Sequence, residues 1–290
     1  MASINTNVAA QMAANALAKN DRAMTQTMER LATGSRINSA SDDAAGLAIA
    51  SKLTAQVTGL NQAVRNGNDA ISMLQTADGA MEEVGNMLQR MRELGVQGGT
   101  GTISSDDRQA LNTEFAALRT EIDRIANNTQ WNGENLLDGT AGSFGLLTFQ
   151  VGYEASQTIT VNVGDLNLAA GAAAYTVGST AGGILGANLS AIAITTAALS
   201  NTQITAIDVA IAGLDAKRSS IGSTLNVLEF AVDSLANASQ NASQARSRIA
   251  DADYATETTE LARTQIIAQA ATAMLSQANQ QTMNVMALLK

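Results

Sequence analysis

The sequence contains no histidine, no cysteine and no proline, and its aromatic residues are one Trp, three Tyr and four Phe in a chain of 290. Without imidazole or thiolate there is no zinc site, no Ser-His-Asp or Cys-His nucleophile system, no haem ligation and no disulfide framework. Carboxylate or lysine chemistry stays formally open. Average usage near ~5% would place roughly fourteen prolines in a chain of this length, and each would interrupt a helix, so the backbone reads as long unbroken helices. Hydrophobic residues reach 46% while aromatics are 3%; the apolar content is therefore Ala, Leu, Ile, Val and eleven Met, small and flexible side chains suited to extended helix seams. Positive charge is also short: 17 basic against 26 acidic residues give a net charge of -9. No basic patch is visible that would neutralise phosphates, which excludes nucleic acid as a partner. No run of about eighteen apolar residues occurs, and the start lacks a basic segment followed by an apolar one. The expectation is neither a membrane protein nor a Sec-type precursor.

What is present is heptad periodicity. Apolar positions step by four and three through Leu53, Val57, Leu60, Val64, Ile71, Leu74, Met81 and Leu88, with Gly67, Asp78 and Gly85 as interruptions. Ser41 is placed to cap this helix, with Asp42 and Asp43 suiting its positive end. Running from Ala44 to Val96, it would extend roughly 80 Å at ~1.5 Å per residue, so it must pack along its length. The segment GGTGTISSDD, Gly98 to Asp107, breaks it and recaps a second helix with Leu111, Phe115, Leu118, Ile122 and Ile125 on one face, expected to fold back antiparallel. A third seam carries Ile207, Ile211, Leu214, Ile221, Leu225, Leu228, Val232, Leu235, Ala242 and Ile249, interrupted by Arg218, Ser239 and Arg246.

The two ends differ from these. The first offers Leu17, Met24, Met28 and Leu31; the last reads Leu261, Thr264, Ala268, Ala271, Leu275, Ala278, Thr282, Val285 and Leu289. At ~25 cal/mol per Å² such small-residue seams offset little of the ~1 to 2 kcal/mol per residue needed to order the chain. Both are therefore expected to order on association, with each other or with further copies of the chain. Between them, Asn132-Gly133 marks a turn, and Phe144 to Gly152 and Gln157 to Gly164 read as paired strands. From Ile125 to Ala216 there is no Lys or Arg, while Glu134, Asp138, Glu154, Asp165, Asp208 and Asp215 contribute -6 of the net charge. The fold class is mostly α: a long antiparallel coiled-coil helical rod with paired terminal arms and a small β-rich insertion. The expected divisions are an N-terminal arm over 1–40, the first part of the rod over 41–140, the insertion over 141–203, the rest of the rod over 204–252 and a C-terminal arm over 253–290.

The segments INTN (Ile4 to Asn7), RLATGSRINSASDDAAGLAIA (Arg30 to Ala50), LQRMRELGVQ (Leu88 to Gln97), RIADADYATETTELARTQI (Arg248 to Ile266) and QANQQTMNVMALL (Gln277 to Leu289) closely resemble bacterial flagellins. The resemblance covers approximately residues 1–140 and 205–290, and 141–203 corresponds to a short form of the family's variable insertion. It implies a structural subunit that self-assembles into the extracellular filament and has no catalytic residue and no cofactor. It also implies paired arms in the filament core, with Leu17, Met24, Met28, Leu31, Leu261, Leu275, Val285 and Leu289 on their seam. The implied partners are further copies of the chain, an export chaperone of the flagellar type III pathway, and the hook-filament junction and cap proteins. Carried over by motif, Gln89, Arg90, Leu94 and Glu114 belong to a face that contacts a neighbouring subunit and that the animal Toll-like receptor for flagellin recognises. The loop Gly34 to Ser41 would link arm to rod as a hinge, and Ser143, Thr176, Ser179 and Thr180 are candidates for glycans. Two alternatives stand beside this: a hook-filament junction protein, which shares such terminal seams, and a secreted type III tip or translocator-like protein.

Overall fold

The computed structural model describes residues 7–142, 145–166, 193–194 and 196–287, with the side chains of 197–199, 201 and 281–287 left aside. It is mostly helical: α1 (Val8–Thr33), α2 (Ala44–Gly98), α3 (Ser105–Asn128), then the short strands β1 (Gln130–Trp131), β2 (Glu134–Asn135), β3 (Leu146–Gln150) and β4 (Thr158–Asn162), and finally α4 (Ala197–Ala250) and α5 (Tyr254–Ala287). The chain divides into two units, one formed by the residues up to 57 with those from 240 onward, the other by 58–239.

In the 58–239 unit α2 and α4 run antiparallel. Asn61 meets Ser239 at 2.7 Å, Asp78 meets Arg218 at 2.8 Å and Arg92 meets Asp208 at 2.6 Å, so numbers rise along one helix as they fall along the other. The buried face of α2 follows a strict heptad through Leu60, Ala63, Gly67, Ala70, Leu74, Ala77, Met81, Val84, Leu88 and Met91, after which both Leu94 and Gly95 are buried. Val64 and Ile71, expected on the seam, are half-buried beside it. The expected interruptions have specific partners: Arg218, the break in the α4 seam, holds Asp78, a break in the α2 seam, 140 residues away. Both side chains are about one-third exposed, so the pair fixes register more than it stabilises.

Helix α3 begins in the expected capping box. The Ser104 hydroxyl accepts from the Asp107 amide at 3.2 Å, and the Asp107 carboxylate accepts from the Ser104 amide at 3.2 Å. Arg108 ties this start to the end of α2 through the carbonyls of Gly98 and Thr100, at 3.1 and 2.8 Å, and the two helices run antiparallel as expected. Phe115, Ile122 and Ala126 are fully buried against the core.

The strands form two small antiparallel sheets, β1 with β2 and β3 with β4. Asn132 and Gly133 have φ of +51° and +85°, the pair of left-handed residues that a type I′ hairpin turn requires. Register in the second hairpin sets Phe149 opposite Ile159 and Leu147 opposite Val161. Lys217 of α4 reaches Asn162 at 3.1 Å, and Asn66 of α2 donates to the Gln150 carbonyl at 3.2 Å, seating the hairpin on both helices. Burial draws the Lys217 ammonium below the usual lysine range. Of the insertion expected over 141–203, residues 167–192, with Thr176, Ser179 and Thr180, lie outside the described residues, as does Ser143.

Candidate functional site

In the unit formed by the two ends, α1 and α5 pair antiparallel. Asn7 caps α1, its side-chain oxygen accepting from the Ala10 amide at 3.0 Å while its amide group donates to the Ala278 carbonyl at 3.1 Å. Asn20 donates to the Thr264 carbonyl at 2.8 Å, and Arg30 pairs with Glu257 at 3.2 Å. The inward positions of α1 are Ala10, Ala13, Leu17, Asn20, Met24, Thr27 and Leu31; those of α5 are Glu257, Leu261, Thr264, Ala268, Ala271, Leu275 and Ala278. Both sets are heptads.

Of the arm residues expected on the seam, Leu17, Met24, Leu31, Leu261 and Leu275 take half-buried positions on it. Met28 does not. It is 54% exposed, because the heptad steps from Met24 to Thr27 to Leu31 and turns Met28 outward. Leu289 and the side chain of Val285 lie outside the described residues. The positions buried most deeply are polar: Asn20, Thr27, Glu257 and Thr264. Sequence reasoning passed over three of these, since a search for apolar spacing does not register a buried Asn, Thr or Glu.

Other apolar side chains of the arms point away from this seam. Val8, Met12, Met28, Ile266 and Met274 are all more than half exposed. Thr27 and Thr264 satisfy their hydroxyls on carbonyls of their own helices, at 3.0 and 2.9 Å, and so contribute little to cohesion between the arms. The pair is held by a few specific hydrogen bonds and by half-buried Leu17, Met24, Leu31, Leu261 and Leu275, and it leaves as many large hydrophobic residues in water.

Both arms end at one clasp. Gly34, at φ +69°, closes α1 in the left-handed conformation that glycine adopts without strain. Arg36 then donates its amide to the Ala250 carbonyl at 2.7 Å and its guanidinium to the Ile249 carbonyl at 2.8 and 3.2 Å, where α4 presents its negative end. The Ala252 amide returns to the Gly34 carbonyl at 2.9 Å. Asp43, rather than Ser41, caps α2 through the Gly46 amide at 2.8 Å. Asp42 instead organises the loop, accepting from the amides of Ser39 and Asn38 and from the Gln26 side chain. The Ser39 and Asn38 amides hold its carboxyl below the usual aspartate range; the Thr256 hydroxyl and the Ala255 amide do the same for Asp253, which caps α5.

A carboxylate with a depressed pKa stabilises the fold above its unfolded value, and that contribution is lost as pH falls through the folded value. Acidification from pH 7 is therefore expected to leave helix content unchanged until pH drops below about 4, the ordinary aspartate range, and to loosen the caps of the arms below that. A circular dichroism titration checks this; an Asp253→Asn chain should show a smaller acid-dependent change.

The second set of expected contact residues lies in the 58–239 unit. Arg90 pairs with Glu114 of α3 at 2.9 Å and with Glu93 at 2.9 Å, and all three are exposed, as is Gln89. The Glu114 and Glu93 carboxylates raise the Arg90 guanidinium further above its ordinary value. Leu94 departs from the expectation. It is 1% exposed and packs in the core with Met91 and Leu88, because it stands about one turn beyond Met91 beside the inward face of α2 and next to buried Gly95; its side chain is not part of the surface.

The two ends pair through heptads whose most buried positions are polar, and they leave several large apolar side chains exposed. Residues 4–142 match the bacterial flagellin N-terminal helical region and residues 204–289 the bacterial flagellin C-terminal helical region. The chain is 41% identical to a flagellin of Bacillus subtilis and 42% identical to a flagellin of Halalkalibacterium halodurans, in both cases over 99% of each chain. Among solved structures, a flagellar hook-associated protein from Vibrio parahaemolyticus is similar in fold, with a TM-score of 0.57 over 72% of this chain and all of that one at 18% identity. The chain belongs to the bacterial flagellin family. It is a structural subunit of the extracellular flagellar filament and not an enzyme. No helix among the described residues is long and apolar enough to cross a membrane.

Proposed function

We propose that residues 1–40 and 253–290 act as the core arms of the filament, weakly ordered in the free chain and completed only when the exposed faces of several copies close on one another. The observation that carries this is the mixed packing of the arm pair: Asn20, Thr27, Glu257 and Thr264 are its most buried positions, its seam Leu and Met are only half-buried, and Val8, Met12, Ile266 and Met274 stand outside. A pair stable alone would place these the other way round. In the filament the outward residues bury against neighbours, and the apolar area then offsets the ordering cost.

Membership of the family supports the rest of this reading. The chain leaves the cell through the flagellar type III apparatus with its export chaperone and adds beneath a cap protein to a filament seated on junction proteins. The absence of His, Cys and Pro fits passage as an unfolded chain, since no disulfide and no slow prolyl isomerisation would delay refolding. Gln89, Arg90 and Glu114 form the exposed contact face for a neighbouring subunit and for the animal Toll-like receptor, without a direct part for Leu94. The test is seeded growth of the purified full chain, followed by pelleting and negative-stain microscopy. Long filaments are expected; a persistent monomer or small closed rings would favour the tip-protein or junction readings.

A further inference from the structure

The 58–239 unit carries an exposed aromatic knob and, elsewhere on its surface, a hollow that fits it. Phe230 of α4 is 76% exposed and Val227, one turn before it, is 50% exposed. With only eight aromatic residues in the sequence, a phenyl ring standing in water on a long helix is out of character for this chain. The hollow, of about 220 Å³, lies between α2 and the second hairpin and is lined by Asp69, Met73, Trp131, Thr148, Phe149 and Gln150 among others. The hollow is an open depression with polar Asn66, Asp69, Thr148 and Gln150 at its rim as well as apolar groups, and its volume exceeds the ~150 Å³ that holds a benzene ring in an enclosed cavity. Trp131 and Phe149 offer ring faces and edges, and Met73 a thioether, the groups against which another aromatic packs best.

Phe230 does not use the hollow of its own chain. Gly67 of α2 faces Val232 of α4, which sets the knob and the hollow at the same level along the helix pair but on different elements. We propose that Phe230 of one copy enters the hollow beside Trp131 of a second copy. A contact between two different patches of the same chain is heterologous; such contacts close into a ring when the rotation allows it and otherwise run on as an open helix, the geometry of a filament. Charge agrees in part. Glu229 and Asp233 flank Phe230, and α4 has no Lys or Arg from 219 to 245. Arg65, one turn before Asp69 of the hollow, is exposed and among the described residues is bonded to Gln62 of its own helix, at 2.6 and 3.1 Å, so its guanidinium can meet an acidic rim; Asp69 itself carries the same sign as that rim. This inference rests on the filament reading and adds a side-by-side contact outside the terminal arms.

Trp131 is the one tryptophan of the chain, so its emission reports the hollow directly. The experiment compares the full-length chain with Phe230→Ala in seeded polymerisation, reading the critical concentration and the Trp131 emission before and after assembly. Because Phe230 is exposed, the variant monomer should melt with the wild type. The expected result is a critical concentration raised about tenfold or more, the range of an aromatic hot spot. The wild type should shift its Trp131 emission on assembly, and Phe230→Ala filaments grown at high concentration should not. Unchanged polymerisation by Phe230→Ala overturns the proposal while leaving the filament reading intact. A raised critical concentration with the emission shift retained places Phe230 against some other surface and overturns the assignment of the hollow. If the wild type itself forms no filament, the filament reading fails instead.

Discussion

A chain truncated after Asp253 is expected to keep its 58–239 unit and to lose filament growth altogether. The cut removes α5, and with it the Thr264 and Ala278 carbonyls that accept from Asn20 and Asn7 and the Glu257 carboxylate that pairs with Arg30. Helix α1 then loses the partner for its whole inward face, Ala10, Ala13, Leu17, Asn20, Met24, Thr27 and Leu31, and a single helix in water gains too little from its own hydrogen bonds to persist. The core around Leu74, Met81, Leu88, Phe115 and Leu214 does not involve the arm. Denaturant melting of the truncated chain should show the main transition near that of the full chain. The helical signal should fall by the contribution of α1 and α5, and seeds should not elongate. Growth at the full-length rate would remove the arms from the assembly mechanism.

Gly67→Leu should destabilise the 58–239 unit by about 1 to 3 kcal/mol, the range for overpacking a tight contact. A Cβ at position 67 would stand 2.5 Å from Cγ2 of Val232, a stiff branched side chain that cannot swing aside without moving α4. The helix-propensity gain of about 1 kcal/mol on leaving glycine opposes this without cancelling it. Gly79 supplies the internal control. It is exposed on the same helix with nothing within 4 Å of an added Cβ, so Gly79→Ala should stabilise by about 0.5 to 1 kcal/mol. Urea melts of the two variants should therefore move in opposite directions.

Those two glycines also mark where the sequence could and could not be read. Helices α2, α3 and α4 were legible because Leu, Ile, Met and Phe recur at heptad spacing over many turns, and the hairpins because Asn132-Gly133 and the alternating strands have few other uses. Gly67 read as an interruption because a residue with no side chain carries no hydropathic signal. Its role as the point of closest approach to α4 exists only once Val232 is brought opposite. The pairing of Asp78 with Arg218 was hidden for the same reason: each was visible as a polar break, but the antiparallel register joins them. At the arms the pattern misled at Met28, whose hydrophobicity outweighed Thr27 in the count although the heptad turns Thr27 inward. Leu94, carried by resemblance to a contact face, is buried in the folded unit, which its polar neighbours in the motif do not reveal. Phe230 lay between two seam positions, Leu228 and Val232, and only its exposure in the folded unit separates it from them.

The central claim, that the arms are completed by assembly, is tested most directly by amide hydrogen exchange resolved along the chain in the free monomer and in the filament. Amides of α1 and α5 should exchange far faster than those of α2 within 60–94 in the monomer, and should become strongly protected in the filament while the protection of α2 changes little. Arms protected in the free monomer as well as the core of α2, or arms that stay unprotected in the filament, would contradict it.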